Sequence, residues 1–171
     1  MMIIVCGVSG TGKSTIGSSL AERLDLPFFD ADDFHSEANI EKLTDGLPLD
    51  DDDRAPWLGL LASNIAKWAA QNGAVLACSA LKESYRRVLA SKCREPIQWV
   101  TLIGSEELLI ARLAARKGHF FNPRLLSSQL DILEVPKYGL QVDITPPPEE
   151  IVAAILPALP ISHQFTPADH A

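Results

Sequence analysis

The sequence predicts an α/β fold in which helices cover both faces of a parallel β-sheet. Short apolar runs typical of buried strands alternate with longer segments in which apolar residues recur every three or four positions. Repeated alternation of this kind is typical of parallel sheets, because a crossover segment must join two parallel strands. No internal repeat or low-complexity linker interrupts the pattern. Ligands in such folds bind beyond the carboxyl ends of the strands, so functional residues are expected at that edge.

The first predicted elements are a strand, a glycine-rich loop and a helix. Residues 3–6 are apolar and include β-branched side chains, and a glycine ends the run. Residues 13–24 carry Ile16, Leu20 and Leu24 at intervals of four, which places these side chains on one face of a helix. The loop is therefore expected to join the end of a strand to the start of a helix.

A short strand and two helices are predicted next. Residues 28–29 form the apolar strand, and residues 37–43 form a polar helix. Asp53 is a suitable N-cap for the longest helix, in which Pro56 would occupy the first turn and the apolar face would continue to Gly73.

The second half of the chain continues the alternation. The predicted strands are 74–78, 97–103 and 140–144, and the helices that follow them are 82–92, 105–116 and 149–159, the last interrupted near Pro157. We interpret residues 1–160 as one domain. Residues 161–171 are expected to form a disordered tail.

Length, cysteine content and charge exclude several classes of function. A chain of 171 residues is large enough to bury its own core as one domain. Cys6, Cys78 and Cys93 include no C-x-x-C pair, which favours free thiols and a cytoplasmic location. No run reaches the roughly 20 apolar residues that span a membrane, so no membrane partner is expected. The net charge of −7 disfavours nucleic-acid binding and requires a local cationic site for any anionic ligand.

The glycine-rich loop matches a phosphate-binding motif. Residues 7–14 read GVSGTGKS, which fits G-x-x-x-x-G-K-[ST] between a predicted strand and helix. Glycines allow close approach of the backbone, so that N–H groups and the helix N-terminus face phosphate. Lys13 would reach the β- and γ-phosphates of ATP, and the Ser14 hydroxyl would coordinate Mg²⁺. The predicted nucleotide-binding residues of this loop are Gly7, Ser9, Gly10, Thr11, Gly12, Lys13, Ser14 and Thr15. The alternative, a glycine turn that binds nothing, is disfavoured by the complete match.

The loop alone does not identify the acceptor of the phosphate, which could be water, a nucleotide, a protein or a metabolite. The absence of an N-K-x-D tetrapeptide disfavours a GTPase, and the short chain leaves no room for a large motor ATPase. A kinase for a small acceptor fits these observations best.

An acidic segment is predicted beside the phosphate loop. Residues 30–35 read DADDFH and follow the second strand, which places their carboxylates at the carboxyl edge of the sheet. Asp32 is the candidate general base for an acceptor hydroxyl, and Asp30 is a candidate Mg²⁺ ligand beside Ser14, although which carboxylate does which stays open. The alternative is that these acids only cap the next helix.

Two groups of cations could complete such a site. Lys82 and Arg86 share one helix face and, together with Arg54, would bind a substrate carboxylate; ordinary surface ion pairs are the alternative. Arg112 and Arg116 also share a face and precede Gly118, which indicates a lid over about 112–130 that excludes water and brings positive charge to the transferring phosphoryl group. Cations that complement a helix dipole are the alternative for this pair.

Five segments in order resemble the thermoresistant-type gluconate kinases, small P-loop proteins similar in fold to shikimate and nucleoside monophosphate kinases. The segments are GVSGTGKST at 7–15, DADDFH at 30–35, NIEKLTDGLPLDDDDRAPWL at 39–58, CSALKESYRR at 78–87 and RLAARKGHFFNPRLLSSQ at 112–129. The resemblance covers roughly residues 3–134. It implies a P-loop kinase with a small mobile lid, which phosphorylates D-gluconate to 6-phospho-D-gluconate with ATP and often forms a homodimer.

The resemblance also implies roles for individual residues. The sugar acid would be surrounded by Asp32, His35, Arg54, Lys82, Arg86, His119 and Gln129. Arg112 and Arg116 would contact the nucleotide phosphates, and the expected catalytic residues are Lys13, Asp32 and Arg116. A kinase for shikimate or a nucleoside monophosphate is one alternative. A non-catalytic ATP-binding sensor is another, and it would need neither the acceptor-side acid nor the lid arginines.

Overall fold

Five parallel strands form one sheet in residues 1–115 and 123–160, the part of the chain that the computed structural model describes. The order across the sheet is β2-β3-β1-β4-β5. The strands are β1 (Met2–Cys6), β2 (Phe28–Asp30), β3 (Ala74–Ala77), β4 (Ile97–Ile103) and β5 (Leu140–Asp143). The predicted parallel sheet is therefore confirmed. The predicted tail, 161–171, and part of the predicted lid, 116–122, lie outside the described residues.

Helices cover both faces of this sheet. They are α1 (Lys13–Leu24), α2 (Glu37–Thr44), α3 (Asp51–Gln71), α4 (Glu83–Ala90), α5 (Glu106–Ala115), α6 (Pro123–Ile132) and α7 (Pro148–Ile155), with short 3-10 turns at Ala31–Phe34 and Leu156–Ala158. Across the sheet, the chain moves in one direction from β1 to β2. It moves in the other direction from β2 to β3 and from β3 to β4. Right-handed crossovers then place α1 on one face and both α3 and α4 on the other. In agreement, α1 packs against α7, and α3 packs against α4.

The core lies along the central strands. Every residue of β1 and β3 is buried, as expected for parallel strands with helices on both faces. By contrast, β5 alternates between exposed and partly buried residues because it forms an edge of the sheet. No helix in the described ranges is long and apolar enough to cross a membrane.

The start of α3 differs from the sequence prediction. Asp50, not Asp53, is the N-cap, and its carboxylate accepts a hydrogen bond from the Asp53 N–H at 2.8 Å. The Asp53 carboxylate in turn accepts from the Asp50 N–H at 3.0 Å, which completes a capping box. Pro56 consequently lies in the second turn. The prediction was wrong because four consecutive aspartates all have good N-cap propensity, so local sequence does not select among them.

The segment treated as a lid contains a helix that the sequence did not predict. The ten-residue helix α6 starts at Pro123, and proline is well tolerated at the first position of a helix. Its Leu126 is buried in the core, so the C-terminal half of the predicted lid is anchored to the domain.

Two glycines provide a matched pair of stability predictions. Gly7 has φ +144°, and a Cβ there would lie 2.7 Å from the Leu102 carbonyl oxygen. We expect Gly7→Ala to lower the free energy of unfolding by about 2 kcal/mol. A Cβ on Gly59, within α3, would meet no atom within 4 Å. Gly59→Ala is therefore expected to raise the free energy of unfolding by about 0.5–1 kcal/mol. Urea denaturation measures both values, and a neutral Gly7→Ala or a destabilising Gly59→Ala would contradict these environments.

Candidate active site

The loop between β1 and α1 forms an open cradle. Gly12 is the N-cap residue of α1, with φ +90°, and no side chain caps the helix. A Cβ built on Gly12 would meet nothing within 4 Å, so other protein atoms do not crowd this position at the start of α1. Thr11 is buried, and its hydroxyl donates to the Val8 carbonyl oxygen at 2.8 Å, which fixes the loop. Exposed amides at a helix N-terminus with space before them fit a phosphate group.

Lys13 projects from the first turn of α1 back over the loop. Its Nζ donates to the Val8 carbonyl oxygen at 3.1 Å. Desolvation lowers the pKa of Lys13, and the Asp32 and Asp30 carboxylates oppose that change. An ammonium that is partly buried and forms no ion pair with a carboxylate in residues 1–115 and 123–160 gains most from a bound anion. The environment of Lys13 therefore suits contact with phosphate.

Ser14 and Asp30 meet at the mouth of the cradle. The Ser14 hydroxyl donates to Asp30 Oδ2 at 2.5 Å, and Asp30 Oδ1 accepts from the Asp32 N–H at 3.1 Å. Asp30 thus caps the 3-10 turn and also faces the phosphate loop. No group of three or more His, Cys, Asp or Glu side chains in the described residues could hold a metal ion alone. Mg²⁺ at phosphate sites takes one or two protein oxygens and completes its shell with phosphate and water, so the Ser14–Asp30 pair fits this ion.

Asp32 lies in the 3-10 turn that follows β2. Desolvation raises the pKa of Asp32; the Asp30 and Asp33 carboxylates act in the same direction, and Lys13 and His35 oppose them. Its side chain is 82% exposed, so water screens these effects. An accessible carboxylate under the influence of the Lys13 ammonium can approach both an acceptor hydroxyl and the transferring phosphate.

His35 is held beside Asp32 in a buried setting. Its side chain is 7% exposed and its Nε2 lies 3.8 Å from Asp32 Oδ1. The imidazole stacks on the indole of Trp57, with centroids 4.5 Å apart and planes 14° from parallel. Desolvation lowers the pKa of His35, Arg54 acts in the same direction, and Asp32 opposes both. Since the ordinary pKa of histidine is about 6.5, this lowering favours the neutral ring at pH 7.

Arg54 and Lys82 come together at the starts of α3 and α4. The guanidinium of Arg54 lies 5.6 Å from the centroid of the Tyr85 ring, and Lys82 Nζ lies 5.3 Å from it. Lys82 Nζ donates to both Asp51 carboxylate oxygens, at 2.8 and 2.9 Å, and the Tyr85 hydroxyl donates to the same carboxylate. Sequence reasoning missed Asp51 as a partner of Lys82. Lys82 and Tyr85, three positions apart, do share a helical face, which was a usable signal.

Arg86 has a different environment from Lys82, although the two were predicted to act together. Its side chain is 2% exposed. Its nitrogens donate to the carboxylate of Glu83, the hydroxyl of Tyr138 and the carbonyl oxygens of Ala80, Leu81 and Glu134. Every nitrogen of the guanidinium thus has a protein partner. Arg86 joins the loop before α4 to the segment after α6, whereas Lys82 pairs with Asp51 at the start of α3.

Arg86 and its neighbour Arg87 allow this structural role to be tested. Arg86→Met removes the buried donor to the Ala80 and Glu134 carbonyl oxygens and one of several donors to the Glu83 carboxylate, and we expect it to lower the free energy of unfolding by about 3 kcal/mol. Arg87 is 78% exposed and lies 3.5 Å from the same Glu83. Arg87→Met should change stability by less than about 0.5 kcal/mol. Urea denaturation compares the two; equal stabilities, with a raised substrate KM for Arg86→Met, would instead favour substrate binding by Arg86.

Arg112 lines a cleft on the other side of the phosphate loop. Its Nη2 donates to the Ile144 carbonyl oxygen at 2.6 Å. The cleft has a volume of about 190 Å³ and also borders Gly12, Thr15 and Pro148. Its position beside the phosphate cradle suits part of a nucleotide. A larger cavity of about 890 Å³ lies at the amino ends of β1 and β4, where Met2 and Gln98 line it. No residue of the phosphate loop lines this cavity.

Gln129 connects α6 to the phosphate loop. Its Oε1 accepts a hydrogen bond from the Ser9 N–H at 2.7 Å. This contact places Gln129 at the phosphate loop. Arg116 and His119, the other residues predicted from the lid segment, lie outside the described residues.

The fold and the phosphate loop define the class of protein. A central β1 strand leads through a glycine-rich loop into α1, and a second strand delivers carboxylates to the same edge of the parallel sheet. This is the arrangement of the P-loop kinases, which use ATP.

Comparison with known proteins narrows the class to a family. A family model described as an AAA domain matches residues 3–120. The chain is 42% identical over 178 residues to a probable gluconokinase of Mus musculus, covering 92% of this chain and 97% of that protein. It is 40% identical over 160 residues to the thermoresistant gluconokinase of Escherichia coli (strain K12), covering 90% of each. A crystal structure of a gluconokinase from Sinorhizobium meliloti 1021 is 41% identical, has a TM-score of 0.84 and covers 91% of this chain and 89% of that one. The chain belongs to the gluconokinase family.

Proposed function

We propose that this protein transfers the γ-phosphate of ATP to the 6-hydroxyl of D-gluconate, forming 6-phospho-D-gluconate. The observation that carries the proposal is the meeting of Ser14, Asp30 and Asp32 at the phosphate loop, since it joins a nucleotide site to a base for an acceptor hydroxyl. Family membership supports gluconate as the acceptor, because the relatives carry that activity in their names.

On the nucleotide side, the amides of residues 7–14 and the Lys13 ammonium would bind the phosphates. Arg112, which lines the adjacent cleft, would approach them from α5. Ser14 and Asp30 would hold Mg²⁺, which would neutralise part of the phosphate charge when bound. We propose Arg116 as a further phosphate contact from the lid.

On the acceptor side, Asp32 would orient and deprotonate the hydroxyl. The hydroxyl oxygen forms a bond to the γ-phosphorus while the bond from that phosphorus to the β–γ bridging oxygen breaks. ADP leaves with the electron pair, and the proton of the hydroxyl passes to Asp32. The charge on Lys13 stabilises the negative oxygens of the transferring group throughout.

Arg54 and Lys82 would bind the carboxylate of gluconate. Both cations flank the ring of Tyr85, and Lys82 also pairs with Asp51. A bound carboxylate would therefore share or exchange this partner. His35, His119 and Gln129 are proposed contacts to the sugar hydroxyls. Arg86 is left out of this set because its nitrogens all bond to protein groups.

The proposal extends to location and assembly. The free cysteines, two of them buried, are compatible with a reducing cytoplasm. A homodimer follows from the family resemblance alone, and sedimentation equilibrium of the purified protein would give the mass that tests it.

ADP release by the purified protein tests the function. The assay uses Mg-ATP with gluconate, shikimate, glycerate, AMP or no acceptor. We expect release that depends on gluconate, with the other acceptors near the blank. Release that is independent of the acceptor would identify an ATPase, release with shikimate or AMP would identify another kinase, and no release at all would favour an ATP-binding sensor.

A further inference from the structure

Asn39 is a buried polar residue that none of the roles above uses. It lies on α2, is 5% exposed, and faces both α3 and the acidic segment. Its Nδ2 donates to the carbonyl oxygen of Asp53 at 3.0 Å and lies 3.4 Å from His35 Nδ1. The carboxylate of Asp53 is engaged separately by Lys42, at 2.6 and 2.8 Å. Asn39 therefore joins the backbone of α3 to the imidazole of the candidate site.

The chemistry of these partners fixes the orientation of the Asn39 amide. A backbone carbonyl oxygen only accepts hydrogen bonds, so the group that faces Asp53 must be the NH₂ of the amide. The flipped orientation would set the amide oxygen of Asn39 against the carbonyl oxygen of Asp53, so that two acceptors would face each other. The second hydrogen of the same NH₂ then points at His35 Nδ1. That nitrogen must accept, so the single proton of the neutral ring lies on Nε2.

The ring plane is fixed as well. His35 stacks on Trp57, and Trp57 Nε1 donates to the Ala31 carbonyl oxygen at 2.8 Å, which holds the indole against the acidic segment. With the ring and its tautomer both set, the Nε2–H bond lies on the side of Asp32, 3.8 Å from Oδ1. A small movement of the exposed Asp32 carboxylate brings the two into hydrogen-bonding distance.

We propose that Asn39 is a positioning residue that holds His35 in the neutral Nε2–H tautomer, so that His35 donates to Asp32 or to the acceptor hydroxyl beside it. Protonation of the ring would place an N–H on Nδ1 against the NH₂ of Asn39. The charged groups that act on His35 are Asp32, which favours protonation, and Arg54, which disfavours it. The catalytic consequence rests on the proposed function, whereas the tautomer does not.

Nitrogen NMR of ¹⁵N-histidine-labelled, ligand-free protein tests the tautomer directly. The chain has four histidines, and the His35→Gln variant assigns the His35 signals by their loss. We expect the wild-type ring to show a protonated Nε2 and an unprotonated Nδ1 at pH 7, with a titration midpoint below the ordinary value of about 6.5. An Nδ1–H tautomer, or an imidazolium at pH 7, would overturn the proposal. This measurement uses no variant of Asn39, so it does not depend on whether such a variant folds.

Variants test the role of the amide itself. Asn39→Ala is expected to give a mixture of tautomers, to raise the His35 midpoint, and to lower kcat for gluconate phosphorylation by about tenfold to a hundredfold with little change in the KM for ATP. Lys42→Met is the matched control, because it removes a neighbouring contact between α2 and α3 and leaves the amide in place. It should change neither the tautomer nor kcat. An unchanged tautomer in Asn39→Ala, or the same change in Lys42→Met, would contradict the assignment.

The activity measurements separate this inference from the proposed function. If the wild-type protein has the Nε2–H tautomer but does not phosphorylate gluconate, the positioning of His35 stands and the acceptor assignment fails. If gluconate is phosphorylated and the tautomer is Nδ1–H, the role of Asn39 fails alone. His35→Gln, which retains an N–H near the Nε2 position, should keep more activity than His35→Asn, and the reverse order would overturn donation from Nε2.

Discussion

Lys13→Met is expected to lower kcat for gluconate phosphorylation by about a thousandfold or more. The substitution removes the charge that stabilises the transferring phosphoryl group, and interactions of this kind are among the largest contributions to phosphoryl transfer. Desolvation already lowers the pKa of Lys13, so removal of the ammonium should not destabilise the ligand-free fold. Coupled assays of ADP release and thermal denaturation measure the two effects.

Lys67 supplies the control for this experiment. It is an exposed lysine on α3, so Lys67→Met should leave both kcat and the melting temperature close to those of the wild type. If Lys13→Met retained kcat within tenfold of the wild type, the phosphate loop would not be the site of transfer. A large fall in melting temperature would instead indicate that Lys13 acts mainly on stability.

Asp32→Asn is expected to lower kcat by about a hundredfold to ten-thousandfold while the KM for ATP changes little. The amide keeps the shape of the side chain but cannot accept the proton of the acceptor hydroxyl. Asp33→Asn is the matched control, since Asp33 is the adjacent exposed acid and has no proposed role. Equal activities of Asp32→Asn and the wild type would remove Asp32 from the role of base.

The pH dependence of kcat/KM for gluconate provides a second view of Asp32, because kcat/KM reports the pKa values of the free enzyme. A general base acts only when deprotonated, so kcat/KM must fall as the pH drops through the pKa of Asp32. Desolvation raises the pKa of Asp32, but water screens the effect at this exposed side chain, so the acid limb, where kcat/KM falls at low pH, should lie only slightly above the ordinary aspartate value of about 3.9. The profile of Asp32→Asn should lack this limb. A limb that persists in the variant would belong to another group.

The phosphate loop and its flanking elements were predictable because their signals are local. The helix α1 spans Lys13–Leu24 as its apolar spacing predicted, and β4 spans Ile97–Ile103 as its apolar run predicted. The meeting of Asp30 with Ser14 was also predictable, since parallel strands end at one edge and the motif marks that edge. These features depend on short-range periodicity and on one general property of parallel sheets.

The environments of Arg86 and Asn39 could not be read from the chain. The spacing of Lys82 and Arg86 gives a shared helix face, but the burial of Arg86 depends on Glu134 and Tyr138, which lie about fifty positions away. Asn39 similarly depends on the carbonyl group of Asp53, fourteen positions along the chain. Side-chain periodicity reports which face a residue occupies, whereas hydrogen-bond partners between distant segments appear only when the chain is folded.

The most direct test of the proposed function is the identity of the product formed from ATP and gluconate. Phosphorus NMR of the reaction mixture should show a new phosphomonoester signal coupled to the two methylene protons at C6 of gluconate. Growth of this signal at the rate of ADP release would establish transfer to the 6-hydroxyl. Inorganic phosphate as the sole new signal, or an ester coupled to a single methine proton, would contradict the account.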